Sequence, residues 1–286
     1  MTASTQAHTR TAVAPLLACM LSAFALSAFA LSACASAPRA PNARFVLPTM
    51  TAHVVSYNIR HGRGMDDSVN LERTARVLRT LQADIVGLQE VDDRVPRSGS
   101  VDQAAGLGEL LGMHHAFGAF MDYEGGRYGM AILTRFPIIT ARPVRLPDGN
   151  EPRIALAAEL LMPDSSRVMV VNVHFDWVED DAFRFAQATV LADFLDTLEM
   201  PYILLGDFND VPDSRTLELF HRRATEIDKP IGNEFTFPSA QPVKEIDFIF
   251  VAPSGAWHLQ GARPIGEQRA SDHRPVVAVV QLSPSR

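Results

Sequence analysis

The chain carries a series of short runs of almost continuous apolar residues, and this pattern limits its possible folds more than any other feature. A strand with one solvated face alternates apolar and polar side chains, whereas a strand covered on both faces is apolar along most of its length. The runs here are of the second kind, which predicts buried strands in a layered α/β protein. They occupy residues 53–57, 85–88, 130–133, 154–161, 168–173, 202–205, 246–251 and 275–282.

Segments with helical periodicity separate many of these strands. The most regular predicted helix spans residues 181–199, where Asp180 can cap the N-terminus. Its apolar residues fall on one face, as in a helix that packs by one side: Phe183, Ala186, Val190, Phe194 and Leu198. The alternation of strands and helices predicts one domain over 51–286. Further helices are predicted near residues 70–82, 102–111 and 213–223.

The first fifty residues are predicted to target the protein. Residues 11–33 are apolar and uncharged, and small residues follow them, which favours a removable signal peptide over 1–33. The sequence LSAC, which ends at Cys34, is similar to the lipobox of bacterial lipoproteins, where the cysteine is lipidated and becomes the first residue. Ordinary cleavage and an uncleaved membrane anchor are the alternatives. Residues 34–50 contain three prolines and predict a flexible tether.

The lipobox resemblance implies an exported protein, held by a lipid anchor on the periplasmic side of the bacterial cell envelope. Ala35 and Ser36 follow the cysteine. In lipoproteins, a residue other than Asp at this place suits onward sorting to the outer membrane. The only two cysteines, Cys19 and Cys34, both lie in this segment, so no internal disulfide can stabilise the domain.

Several buried runs lead into a polar residue that could take part in chemistry. Ligands of α/β sheets bind outside the carboxyl ends of strands, where Asn58, Glu90, His174 and Asp207 are expected. Taken singly, Asn58 could form an Asx turn, Glu90 could be a surface acid and His174 could be a structural histidine. Asp207 is the strongest case, because it and Asn209 flank an aromatic residue directly after a buried strand.

Two further positions combine with these. Asp247 lies inside an apolar strand, where an acid is costly unless it is paired. Asp272 and His273 directly precede the last strand and supply an oxygen ligand and an imidazole. Together the set offers oxygen ligands for a hard cation such as Mg²⁺, a group to activate water, and donors for developing negative charge. These are the requirements of phosphate ester hydrolysis.

Seven segments in order resemble the endonuclease/exonuclease/phosphatase superfamily: SYNIRHG, DIVGLQEVD, YGMAILTRFPI, VNVHFD, LLGDFND, EIDFIFV and SDHRPVVAVV. That superfamily includes deoxyribonuclease I, apurinic endonucleases, inositol polyphosphate phosphatases and neutral sphingomyelinases. The resemblance spans residues 53–282. It implies an α/β fold, the four-layer α/β sandwich in which two mixed β-sheets pack face to face with helices on the outside.

The resemblance also implies roles for the polar residues. Glu90 would be the principal ligand of a Mg²⁺ or Mn²⁺ ion, with Asn58 and Asp272 close to it. Asp207 would orient or deprotonate the attacking water, and Asn209 would help to hold the phosphoryl oxygens.

The two histidines complete this implied site. Asp247 would pair with His273 and keep its imidazole charged beside the phosphate. His174 would stabilise the pentacovalent transition state or assist protonation of the leaving group. The implied reaction is in-line attack of an activated water on a phosphate ester.

Other side chains near the matched segments are weaker candidates. Arg60, His61, Arg127 and Arg153 could contact substrate phosphate, but surface or loop ion pairs explain each of them equally well. Trp177 follows His174 closely and could line the substrate cleft or cap the core.

The net charge of −7 bears on the substrate. Proteins that bind nucleic acid without sequence preference usually present a basic face, so nucleic acid is less favoured here. The leading hypothesis is a metal-dependent hydrolase of a phosphodiester, in a lipid headgroup or a small organophosphate. A secreted nuclease is the alternative. A catalytically inactive surface-binding module is a third hypothesis, against which the retention of the whole polar set argues. No protein partner follows from the sequence.

We expect membrane attachment to depend on Cys34. In a bacterial host, Cys34→Ala should move the protein from the membrane fraction to the soluble fraction, because no acyl chain can then be attached. Cys19→Ala changes the other cysteine and should leave the protein in the membrane fraction. Cell fractionation with immunoblotting measures both. A Cys34→Ala protein that stays in the membrane would show that the lipobox assignment is wrong.

Overall fold

Two six-stranded sheets form the centre of the protein in a computed structural model that describes residues 51–230 and 232–283. Their strands are, in chain order, β1 (Thr51–Asn58), β2 (Ile85–Asp93), β3 (His114–Tyr123), β4 (Gly126–Thr134), β5 (Ile138–Arg145), β6 (Ile154–Leu161), β7 (Arg167–His174), β8 (Tyr202–Asp207), β9 (Thr225–Glu226), β10 (Asp247–Ala252), β11 (Trp257–Pro264) and β12 (Val276–Leu282). The first sheet has the order β11-β12-β1-β2-β4-β3, and the second has the order β5-β6-β7-β8-β10-β9. Each sheet contains one parallel pair, β1 with β2 and β7 with β8.

Helices cover the outer faces of the sheets. They are α1 (Leu71–Thr80), α2 (Gln103–Leu111), α3 (Ala182–Asp196) and α4 (Arg215–His221), with short 3-10 turns at Arg60–Gly62, Pro96–Ser98 and Ser254–Ala256. Asn70, Asp102 and Ser214 precede α1, α2 and α4, and each side chain accepts a hydrogen bond from the first helical turn. Within the described ranges, no helix is long and apolar enough to cross a membrane.

Alternate side chains of the central strands bury opposite faces of each sheet. On β1, Val54 packs into the core between the sheets, whereas Val55 packs outward beneath α1 and α2. On β8, Leu205 faces the core between the sheets and Leu204 faces α3 and α4. The layers therefore run helix, sheet, sheet, helix, which confirms the predicted four-layer α/β sandwich with two mixed sheets.

The strands that the sequence did not predict are the edges of the sheets. The eight predicted strands are the interior strands of the two sheets, while β3, β5, β9 and β11 stand at the ends of the strand orders. Edge strands are less covered than interior ones, so they lack continuous apolar runs. In β5, five consecutive residues are exposed, and β9 has only two residues.

The predicted packing face of helix α3 is wrong for its first half, whereas Phe194 and Leu198 are partly buried against the core as predicted. Phe183, Ala186 and Val190 are exposed, and the buried face includes the polar residues Arg184 and Gln187. These two side chains are buried because they bind the loop before the helix. The Oε1 of Gln187 accepts from the N–H of Asp176 at 2.9 Å, and Nη1 of Arg184 donates to the Asp176 carbonyl at 3.2 Å. The N-terminal cap was placed correctly, since Asp180 Oδ1 accepts from the N–H of Ala182 at 2.9 Å.

The predicted signal peptide (1–33) and tether (34–50), including Cys34, lie outside the described residues. Export and lipid anchoring therefore remain predictions.

Candidate active site

Polar side chains from both sheets meet at one end of the sandwich. The parallel strands β1 and β2, and likewise β7 and β8, end at the same edge of their sheets. Strand β10 runs antiparallel to β8, and its first residue, Asp247, lies directly opposite Asp207. A cavity of about 670 Å³ opens there. Among the residues that line it are Glu90, His174, Asp207, Asn209, Asp272 and His273.

A β-bulge presents Glu90 to this cavity. Gln89 pairs with Met130 and Val91 pairs with Gly129, so Glu90 is an extra residue without a partner on β4. Its φ of 58° lies in the left-handed region, which costs a non-glycine residue roughly 1–3 kcal/mol. The strain redirects a side chain that a regular strand would point elsewhere.

Asn58 joins the two sheets at this place. Its Nδ2 donates to Glu90 Oε1 at 3.1 Å and to Asp207 Oδ2 at 3.0 Å. Its Oδ1 accepts from the N–H of Arg60 at 3.1 Å. Asn58 thus faces both acids with its amide nitrogen, and contact of its oxygen with a cation would require the amide group to turn over.

Asp207 lies at the centre of the arrangement and is only 1% exposed. Its Oδ2 is 3.5 Å from His273 Nε2 and 3.6 Å from His174 Nε2. Its Oδ1 accepts from the N–H of Asn209 at 3.0 Å. The structure therefore brings both predicted histidines and both polar residues of the Gly-Asp-Phe-Asn segment together.

His273 bridges Asp207 and a second buried acid, because its Nδ1 lies 3.0 Å from Asp247 Oδ2. Burial opposes the charge on the ring, but the negative charges of Asp247 and Asp207 outweigh it and raise the pKa of His273 to about 10. Burial also raises the pKa of Asp207 to about 7, against the lowering effect of His273. At neutral pH, His273 is therefore a cation, and burial makes Asp207 a stronger base than an exposed aspartate.

His174 has the opposite electrostatics. Burial, together with the positive charges of Arg153 and His273, holds the pKa of His174 well below its usual value. Its Nδ1 has no hydrogen-bond partner among the described residues. His174 is therefore a neutral imidazole at physiological pH, and the two histidines of the cavity differ in charge.

Two neighbouring groups of residues could hold a metal ion. Burial and the negative charge of Asp272 raise the pKa of Glu90, and a divalent cation would offset both effects. Asp207, Asp247 and His273 each bring one ligand atom within 4.8 Å of the others. However, a protonated imidazole has no lone pair for a metal, and it already neutralises the two acids. The side with Glu90 and Asp272 fits a hard cation better.

Asp272 is held close to β1. The Oγ of Ser271 donates to the Asn58 carbonyl at 2.7 Å and lies 3.2 Å from Asp272 Oδ1. Asp272 Oδ2 lies 3.6 Å from Arg60 Nε. Arg60 is therefore engaged with a cavity residue but is not among the residues that line the cavity.

Arg153 lines the cavity and is only 1% exposed. Its Nη2 lies 2.9 Å from Glu151 Oε2, and the guanidinium lies 4.8 Å from the centre of the Phe120 ring. Its Nε and Nη1 have no hydrogen-bond partner in the described part of the chain. The buried guanidinium therefore places a fixed positive charge in the wall of the cavity, where it attracts an anion.

Arg127, for which substrate contact and an ion pair were equally open, does not line this cavity. Its Nε donates to Asp93 Oδ2 at 2.9 Å, its guanidinium lies 5.4 Å from the centre of the Phe117 ring, and it borders a separate depression. His61 is buried but is also absent from the cavity lining, and its carbonyl accepts from Gln103 Nε2. Arg127 therefore forms an ion pair with Asp93, and His61 is held by a structural hydrogen bond.

Tyr128 is a cavity residue that the sequence did not single out. Its hydroxyl bonds to Glu90, and burial raises its pKa well above the usual value. The ring is fixed between Phe120, at 4.9 Å between ring centres, and the guanidinium of Arg97 at 4.8 Å. A tyrosine near the start of a strand is common in β-sheets, so the sequence gives no signal for this role.

The sequence profile of the endonuclease/exonuclease/phosphatase family matches residues 55–273. The chain is also similar to the Escherichia coli K12 protein YbhP, with 30% identity over 221 residues that cover 72% of this chain and 86% of YbhP.

Solved structures share the fold. The mannosyl-6-phosphatase of Bacteroides thetaiotaomicron has a TM-score of 0.68 at 22% identity, covering 80% of this chain and 99% of its own. The 2′,3′-cyclic phosphatase ANGEL2, solved with adenosine-2′,3′-vanadate, has a TM-score of 0.66 at 16% identity, covering 82% of this chain and 97% of its own. The profile match spans most of the chain, from β1 to His273. The chain therefore belongs to the endonuclease/exonuclease/phosphatase family, whose members are hydrolases.

Proposed function

We propose that this protein is a divalent-metal-dependent hydrolase of phosphate esters. One observation carries the proposal: the buried carboxylate of Asp207 lies within 3.6 Å of a neutral His174 and within 3.5 Å of a charged His273, at a cavity. A base with a pKa near neutrality, a fixed cation and a neutral N–H donor are the groups that this hydrolysis needs.

In the proposed reaction, Asp207 orients a water molecule for in-line attack on phosphorus and accepts one of its protons. Its pKa of about 7 suits this exchange at neutral pH. His273, held by Asp247, keeps a positive charge beside the phosphoryl oxygens while their negative charge grows. Asn209 bonds to the Phe175 carbonyl through Nδ2 and retains a second N–H for a phosphoryl oxygen.

His174 acts in this proposal as a hydrogen-bond donor to the transition state. A ring whose pKa is far below neutrality is rarely an imidazolium, and neutral imidazole is a poor proton donor. Of the two roles that the family resemblance implies, stabilisation of the transition state is therefore favoured over protonation of the leaving group.

We propose Glu90, with Asp272 and Asn58 beside it, as the site of a Mg²⁺ or Mn²⁺ ion. A cation bound there would polarise the phosphoryl group and offset its charge. The chain's own contribution is to orient the carboxylate of Glu90 through the hydroxyl of Tyr128 and the Nδ2 of Asn58.

The favoured substrate is a phosphodiester of a lipid headgroup or a small organophosphate. The net charge is −7, and the cavity lining mixes the acidic residues Glu151, Glu179 and Asp210 with basic ones. A long polyanion needs many phosphate contacts on a basic face, whereas a single phosphate needs only the local charges of the site. A lipid anchor at Cys34 would hold the enzyme where lipid substrates occur.

Asp207→Asn should lower kcat for bis(p-nitrophenyl) phosphate by roughly 100- to 10,000-fold, because the general base is lost. EDTA should abolish wild-type activity, and Mg²⁺ or Mn²⁺ should restore it. Asp164→Asn, in the turn at the opposite end of β7 from His174, is the matched control and should retain full activity. Turnover that survives EDTA, or an unchanged Asp207→Asn enzyme, would contradict the mechanism.

Asp247→Asn should lower the pKa of His273, because the carboxylate is the strongest group that raises it. The wild-type ring is charged below a pKa of about 10 when folded, against about 6.5 when unfolded. Its charge therefore stabilises the fold fully below pH 6.5, and this contribution disappears as pH rises through 10. NMR titration of the metal-free protein measures the pKa. An unchanged His273 titration in Asp247→Asn would refute the pairing.

Arg153→Lys should lower kcat/KM for the same ester by about 10- to 100-fold, since a lysine cannot keep the contacts with Glu151 and Phe120 that fix the positive charge at the cavity. Arg127→Lys should change it less than about twofold, because Arg127 lies outside the cavity. Steady-state kinetics of both variants, with circular dichroism to check folding, provide the test. Equal losses in the two variants would show that Arg153 has no special contact with the substrate.

A further inference from the structure

An exposed indole stands at the cavity. Trp177 is among the lining residues, yet it is 59% exposed. Within the described ranges, its ring has no aromatic or cationic neighbour and its N–H has no hydrogen-bond partner. Burial of a tryptophan removes a large apolar area from water and is therefore favourable. A solvent-exposed indole beside a reactive centre thus indicates a surface that a ligand covers.

The backbone on both sides of this indole is fixed from beneath. Nη1 of the buried Arg184 donates to the carbonyls of Asp176 and Val178, the two neighbours of Trp177. Asp176 is fully buried; its Oδ2 accepts from the N–H of Asn150 at 2.6 Å and its Oδ1 from that of Val178 at 3.2 Å. The ring is therefore presented on a rigid support, which lowers the entropy cost of binding to it.

The surroundings of Trp177 are acidic. Glu179 lies two residues away, is exposed, lines the same cavity and forms no hydrogen bond or ion pair within the described part of the chain. Asp180 and Asp181 follow it, although Asp180 caps α3 and Asp181 is paired with Arg215. Three side chains with a fixed positive charge also line the cavity: Arg184, which is paired with Asp210, Arg153, which is paired with Glu151, and Lys244, from the segment between β9 and β10.

We propose that Trp177 and Glu179 form a subsite for a cationic substituent of the substrate, an ammonium or quaternary ammonium group carried by an alcohol of the phosphate ester. The face of an indole is the best aromatic receptor for such a cation, and the free carboxylate of Glu179 adds a complementary charge. This inference rests on the proposed function, and it narrows the substrate to zwitterionic phosphodiesters.

Two other occupants fit less well. An alkyl chain would find the exposed Val211 in the lining of the same cavity, but it would also desolvate the carboxylate of Glu179. A nucleobase could stack on the indole, but the further phosphates of a polynucleotide would meet Glu179 and its acidic neighbours.

The test compares two esters of equal shape. The p-nitrophenyl ester of phosphocholine carries a trimethylammonium group, and p-nitrophenyl 3,3-dimethylbutyl phosphate replaces its nitrogen with carbon. For the wild type with Mg²⁺ or Mn²⁺, kcat/KM should be about tenfold higher for the cationic ester. Release of both p-nitrophenol and choline is measured, so that either orientation of the ester is detected.

The variants should change this preference. Trp177→Ala should bring the ratio of the two kcat/KM values close to one. Trp177→Phe should keep part of the preference, and Glu179→Gln should reduce it and weaken its dependence on salt. An equal loss on both esters, or no change in the ratio, would overturn the proposal. A loss confined to thymidine 5′-(p-nitrophenyl phosphate) would assign the indole to a nucleobase instead.

A binding measurement separates this proposal from the proposed function. Trp177 and Trp257 are the only tryptophans, and Trp257 is only 7% exposed. Phosphocholine should change the fluorescence of the EDTA-treated wild type but not that of Trp177→Phe. If no ester is hydrolysed with metal present while this change persists, the proposed function fails and the subsite stands. If esters are hydrolysed and the fluorescence does not respond, the subsite is wrong.

Discussion

Buried amide groups fix the two sheets against each other at the end where the site forms. Gln89 Nε2 on β2 donates to Asn172 Oδ1 on β7 at 2.7 Å, and Asn172 Nδ2 donates to two backbone carbonyls of the first sheet. Asn58 reaches across in the same way to Asp207. The apolar core between the sheets is non-directional and does not by itself set their register. Each buried amide left unpaired would cost about 1–3 kcal/mol, so a slip of one sheet past the other is strongly opposed.

This fixed register determines the charges in the cavity. Asp207 lies on β8 and Asp247 on β10, both in the second sheet, whereas His273 directly precedes β12 of the first sheet. The imidazolium of His273 lies between the two acids and therefore links the two sheets. Without His273, two buried carboxylates on paired strands would repel each other and take up protons. With it, the positive charge of the imidazolium opposes the rise that burial causes in the pKa of Asp207. The cation that holds the strands together electrostatically is also the cation that we propose for the phosphoryl group.

The sequence predicts the elements of this architecture whose burial requires a recognisable pattern of apolar residues. Interior strands are covered on both faces and are therefore apolar throughout, whereas edge strands such as β5 are exposed and read as loops. Asn58, His174 and Asp207 follow buried strands directly, so their meeting at one edge follows from the parallel pairs β1–β2 and β7–β8. Glu90 reaches the cavity because of a β-bulge, and the pattern of apolar residues does not predict a bulge.

Side chains whose roles depend on long-range packing could not be predicted. Arg127 and Arg153 both flank matched segments, and only the folded chain shows that one is paired with Asp93 at the surface while the other is buried in the cavity. The low pKa of His174 depends on burial and on the positive charges of Arg153 and His273, which only the folded chain brings beside it.

The error on helix α3 shares a physical cause with the exposed indole. A helix that packed by the face of Phe183 and Val190 would turn Arg184 away from the loop of Trp177, and it would remove Leu191 and Leu195 from the core. The chain instead buries a guanidinium, which is costly unless its N–H groups are bonded. This guanidinium donates to the two carbonyls that flank the indole. The same face of the helix thus packs the core with its leucines and supports the cavity wall with its arginine, which apolar periodicity alone does not reveal.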